Sequence, residues 1–193
     1  LVIVGAGPSG LSAAIKFKKN LNQNNKDFSV CVVEKGSEVG AHILSGAILE
    51  PRALDELIED WKTSEDCPVK VKVKTESLKF LTKTKAYTIP SIITPPVMHN
   101  QGNYIISLGS FCKWLSIRAE NMGVEIYPGF AAADLIIEDE KLHGIVTGDL
   151  GVGKNGEQSS NFTPGIEIHA KYTLFAEGCR GHPVSYTHLT LPT

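Results

Sequence analysis

The chain has 193 residues, 42% of them hydrophobic and 21% charged, with a formal net charge of −2. This is the composition of an ordinary globular chain long enough for a sizeable core. Its charge gives no electrostatic reason to expect nucleic acid as a partner. No run of about 18 apolar residues is present to cross a membrane as a helix.

Leu1-Val2-Ile3-Val4 reads as a buried parallel strand. Gly5-Ala6-Gly7-Pro8-Ser9-Gly10 follows, and a helix rich in Ala, Leu, Ile and Lys opens near Ser9. Each glycine of this Gly-x-Gly-x-x-Gly turn has its own task. Gly5 permits the tight turn out of the strand. Gly7, lacking Cβ, lets a pyrophosphate approach the backbone, and Gly10 lets helix and strand pack closely. The helix N-terminus offers unpaired N–H groups and partial positive charge to phosphates. A second apolar strand, 29–33, ends in Glu34. It stands where a dinucleotide site places a carboxylate, roughly 20 residues on, to accept the ribose hydroxyls. A 2′-phosphate would be repelled there.

The next stretch, 35–47, is a loop of glycine and small residues leaving a strand's carboxyl end, where ligands bind in such folds. Residues 51–61 predict a helix with Leu54, Leu57, Ile58 and Trp61 on one face, the pattern of a surface helix packed on the core, with an interface as the alternative. Val69-Lys70-Val71-Lys72-Val73 predicts a peripheral strand with its lysines outward. Residues 77–81 and 86–89 predict a hairpin, 90–102 an irregular proline-rich segment, and 103–107 a short strand. Residues 110–122 predict a helix stopped by Gly123, and 124–127 a return to the parallel sheet. Residues 131–138, 142–149 and 165–169 predict three strands, with 151–161 as a long loop. Residues 172–176 predict a last buried strand ending in Glu177-Gly178.

The cysteines Cys31, Cys67, Cys112 and Cys179 contain no C-x-x-C pair for a metal or redox centre. They read as reduced thiols in a reducing compartment. Both ends look cut. The first residue already lies within a strand, so the N-terminus is expected to be truncated. Residues 184–193, VSYTHLTLPT, match an in-frame translation of a transposase sequencing adapter and are expected to be non-native.

The turn at Gly5–Gly10, Glu34, the loop at Gly40, the three-stranded meander and Thr173-Leu174-Phe175-Ala176-Glu177-Gly178 resemble the FAD domain of the glutathione-reductase-like flavoproteins. Further phrases narrow the resemblance: Gly40-Ala41-His42-Ile43-Leu44-Ser45-Gly46-Ala47, the stretch from His99 to Ile105, and Gly123 to Gly129. They resemble the electron transfer flavoprotein–ubiquinone oxidoreductase family, over nearly all of residues 1–182. The resemblance implies an α/β, Rossmann-like FAD-binding fold, a parallel sheet plus a three-stranded β-meander, incomplete here, over residues 1–183. It implies electron transfer from reduced electron transfer flavoprotein to ubiquinone, with FAD and, in the whole protein, a [4Fe–4S] cluster. The four scattered cysteines do not supply the cluster's ligands.

By the same resemblance Gly5, Gly7, Ser9 and Gly10 would hold the pyrophosphate and Glu34 with Lys35 the adenosine ribose side. Gly40 would lie toward the flavin, Ala132 beside the adenine, and Glu177 and Gly178 at the second cofactor-contacting strand end. No side chain is assigned a catalytic acid–base role. Location would be the matrix side of the mitochondrial inner membrane, or a bacterial inner membrane. Residues 43–61 would touch the bilayer surface through the face that includes Leu57 and Trp61. Two alternatives stand beside this reading: a FAD-dependent monooxygenase or isoprenoid reductase of the same fold, and a non-catalytic FAD-binding module.

Overall fold

The structure is a computed structural model that describes residues 1–153 and 155–178. In chain order the elements are β1 (Val2–Val4), α1 (Pro8–Gln23), β2 (Cys31–Glu34), β3 (Gly46–Leu49), α2 (Arg52–Leu57), β4 (Val71–Lys72), β5 (Leu78–Leu81) and β6 (Ala86–Ile89). Then follow β7 (Tyr104–Ser107), α3 (Leu108–Glu120), β8 (Glu125–Pro128), β9 (Ala132–Glu138), β10 (Lys141–Thr147), β11 (Leu150–Val152), β12 (Gln158–Thr163), β13 (Glu167–His169) and β14 (Thr173–Phe175). They form two compact units, one of residues 1–44 with 112 onward, the other of residues 45–111. The expectation of one domain over 1–183 does not anticipate this insertion.

The first unit is built on a parallel sheet of order β14-β1-β2-β8. Val2, Ile3 and Val4 pair with β14 on one side and β2 on the other. A strand flanked on both edges and covered on both faces must be apolar throughout, and all three residues are buried. Leu11, Ala14 and Ile15 of α1 are buried at 0% exposure. Burying each such leucine or isoleucine stabilises by about 1.5–3 kcal/mol. The meander forms its own antiparallel sheet, β13-β10-β9, as the period-2 pattern predicts. Val2, Val4 and Val33 share a core cluster with Ala132 and Ile145 of the meander. The expected long loop 151–161 is instead a hairpin, β11 with β12. Gln158-Ser159-Ser160-Asn161 is exposed throughout, so no alternation of apolar and polar residues marks the strand.

The second unit holds the sheet β3-β7-β4 and the hairpin β5-β6. Strand β3 corrects the expectation that 35–47 is loop to its end. The expected helix 51–61 stops at Leu57, where Ile58 turns to extended backbone (φ −138°, ψ 93°). Its apolar face still forms, with Leu54, Ile58 and Trp61 buried. Trp61 donates Nε1–H to Asp55 Oδ1 at 2.8 Å and stands edge-on to Tyr104 with centroids 5.3 Å apart. This face is core, which removes Trp61 from any bilayer contact of 43–61. Strand β4 is an edge strand as expected, but the valines do not alternate inward: Val69 and Val73 are buried, and Val71 is exposed. Cys179 and the tail 184–193 lie outside the described residues.

Candidate functional site

The glycine turn connects β1 to α1. Gly5 sits at φ +103°, and its N–H donates to Val33 O at 2.8 Å. A Cβ there would stand 2.7 Å from Ala176 O. Only glycine meets both demands, the left-handed backbone and the close pass beneath the end of β14. Gly10 is under a harder constraint. Its Cβ would fall 2.0 Å from Gly5 O, so this glycine seats the helix on the turn. Gly7 differs from both: a Cβ would meet nothing within 4 Å. The protein leaves that space free.

Gly7 is the N-cap of α1, extended at φ −77° and ψ −179°, and makes no side-chain cap. Pro8 begins the helix, where its missing N–H costs nothing. The first turn carries no acidic residue. Its free donors and the partial charge of the helix end therefore remain available to an anion.

At the end of β2, Glu34 joins two loops. Its Oε2 accepts the Ala6 N–H and its Oε1 the Gly36 N–H, each at 2.8 Å. Each oxygen has lone-pair capacity left for a ligand hydroxyl. The loop beyond is also held down: Gly129 N–H donates to Gly36 O at 2.7 Å, and Lys113 pairs with Glu38 at 3.1 Å. Burial, then the Glu34 charge, push the Cys112 thiol up to about 11, so Cys112 is a neutral packing residue. Burial, then Glu125, do the same to Cys31.

These parts border one cleft of about 770 Å³ in the first unit. That is within the roughly 300–1,000 Å³ of small-molecule sites. Gly5, Gly7, Ser9, Glu34, Lys35, Gly40, Ala132, Glu177 and Gly178 all line it. Gly10 does not, in keeping with its packing task. Sequence reasoning missed His42, Ile43, Phe130, Ala133 and Ala176, which also line it. They arrive from loops and strand ends whose convergence has no local signature; for Ala176 the end of the buried strand was the available signal. Among the described residues no group of His, Cys, Asp and Glu could hold a metal ion.

Residues 3–61 match the family model described as an NAD(P)-binding Rossmann-like domain. A Pseudomonas aeruginosa protein named electron transfer flavoprotein-ubiquinone oxidoreductase is 55% identical over 185 residues, 94% of this chain and 33% of that protein. The mitochondrial protein of the same name from Dictyostelium discoideum is 54% identical over 182 residues, 94% of this chain and 29% of its own length. The chain thus spans about a third of the curated relatives it matches. Among solved structures, a geranylgeranyl bacteriochlorophyll reductase-like protein from Thermoplasma acidophilum superposes with a TM-score of 0.60 at 19% identity, over 92% of this chain and 38% of that one. At that identity the likeness shows the fold alone.

Proposed function

We propose that the chain is the FAD-anchoring part of an electron transfer flavoprotein–ubiquinone oxidoreductase. The observation that carries this is the cleft: a glycine turn with free space at Gly7, a helix end without acidic residues, and Glu34 at the next strand end. The identity to relatives of that name selects this family over monooxygenases and reductases that share only the fold. The free space at Gly7 fits a pyrophosphate passing over the turn, and the remaining lone pairs of Glu34 fit two ribose hydroxyls. Glu177 and Gly178, at the end of β14, fit the ribityl side. When bound, FAD supplies the one- and two-electron chemistry. The chain's own residues bind and orient it. No acid–base side chain is needed.

In the whole protein the electron path would run from reduced electron transfer flavoprotein to ubiquinone, through a [4Fe–4S] cluster held by residues beyond this chain. The family has mitochondrial and bacterial members. On this reading the eukaryotic proteins work on the matrix face of the inner membrane.

Bilayer contact is better supported at 70–98 than at 43–61. Residues 70–98 contain Lys70, Lys72, Lys74, Lys79, Lys83 and Lys85 against a single acid, Glu76. Phe80, Leu81, Tyr87, Ile92, Ile93 and Val97 are exposed there, Ile92 at 92%. Apolar tips among lysines suit an anionic lipid surface. No helix of the described residues is long and apolar enough to span.

Titration with FAD and with FMN tests the cleft assignment. FMN has the flavin and one phosphate but no adenosine. The reading expects FAD to bind and FMN to bind far more weakly. Equal binding of the two would overturn the placement of the adenosine on Glu34.

A further inference from the structure

The exposed apolar loop 91–98 consists of two single-turn 3₁₀ helices, Ser91–Ile93 and Pro96–Met98. Neither buries a residue. Apolar packing therefore does not hold the loop in shape, and its order needs another source. That source is polar. Glu76 Oε2 accepts the Asn100 backbone N–H at 2.7 Å and its side-chain Nδ2–H at 3.2 Å. Glu76 Oε1 stands 3.4 Å from His99 Nδ1. On its other side, His99 Nε2 reaches Thr94 O and Thr94 Oγ1, both at 3.2 Å. Thr94 Oγ1–H in turn donates to Ser91 O at 2.7 Å, and Asn100 Nδ2–H to Met98 O at 3.1 Å. One carboxylate thus ties both turns of the loop from behind. The Asn100 amide, foremost among these contacts, holds the Glu76 carboxyl below the usual carboxylate range.

We propose that Glu76 is a positioning residue: through His99, Asn100 and Thr94 it fixes loop 91–98 so that Ile92, Ile93 and Val97 project together toward an anionic lipid surface. This rests on the bilayer reading of 70–98 above. It gives a separate reason for the one acidic residue in a lysine-rich stretch. Glu76 would weaken attraction to anionic lipid by its charge, yet the loop's order depends on it.

That opposition supplies the test. Glu76→Ala removes a negative charge, so electrostatics alone would tighten binding to phosphatidylcholine vesicles containing phosphatidylserine. The proposal expects the opposite: binding several-fold weaker, with faster amide exchange at Thr94 and Asn100 and unchanged exchange in β7. His99→Ala, which removes the middle of the strut without touching the acid, is expected to weaken binding in the same direction. Glu76→Ala added to the double change Ile92→Ser with Ile93→Ser is expected to cost no more than the double change alone. Unchanged or tighter vesicle binding of both Glu76→Ala and His99→Ala overturns the strut. Unchanged binding of the Ile92→Ser, Ile93→Ser protein overturns the bilayer reading itself, which separates the two failures.

Discussion

The sheets of the two units treat their apolar residues differently. In the first, β1 and β2 sit inside a parallel sheet, and Ile3, Val32 and Val33 are sealed from solvent. In the second, the central strand β7 buries Tyr104 and Ile106 but presents Ile105 outward, between Ile48 on one neighbour and Val71 on the other. All three are about half exposed. The hairpin β5-β6 goes further, with Phe80 directly opposite Tyr87 and both exposed. An isolated two-stranded hairpin is marginal in water. The difference teaches that the first unit borders a cleft of its own, whereas the second leaves apolar side chains of its sheet and hairpin exposed.

The comparison can be broken most severely at Gly10. In Gly10→Val a Cβ must displace the Gly5 carbonyl, a backbone group rather than the end of a flexible side chain. The expected result is loss of the first unit's cooperative melting, read by circular dichroism; a normal transition would refute the packing role. In the second unit the matching change is Trp61→Ala. Removing a tryptophan at 2% exposure with its Asp55 bond is expected to cost about 3–5 kcal/mol in denaturant unfolding of that unit. A cost below about 0.5 kcal/mol would return Trp61 to the surface. A smaller effect is expected at the site itself. Glu34→Ala should weaken FAD by about 1–3 kcal/mol through lost charge-assisted hydrogen bonds. Calorimetric titration giving an unchanged Kd would make Glu34 only a tie between Ala6 and Gly36.

How much of this was legible in the sequence follows from how local each cause is. The turn at Gly5–Gly10, the parallel strands, the helix expected at 110–122 and found at Leu108–Glu120, and the meander could be read because each depends on its own residue pattern. Gly10 and Gly7 could even be told apart by task, and the structure separates them by what a Cβ would meet. The strand β12 could not be read, because Gln158 to Asn161 has polar residues on both faces. The face of Trp61 was right and its helix too long, because a turn after Ile58, rather than helical period, carries Trp61 into the core. His42 and Phe130 reach the cleft from loops, and only the fold brings them together. The amphipathic face of 51–61 fits core packing or bilayer contact equally by its period, and burial decides for core; exposure at 80–98 has no periodic signature.

The central claim is that the cleft over the glycine turn takes the pyrophosphate of FAD. Gly7→Val tests it most directly, because the added Cβ would meet no atom within 4 Å beyond its chain neighbours and the backbone there is already extended. The account predicts an unchanged melting temperature for the ligand-free protein together with loss of FAD retention. A Gly7→Val protein that carries a full complement of flavin would contradict it.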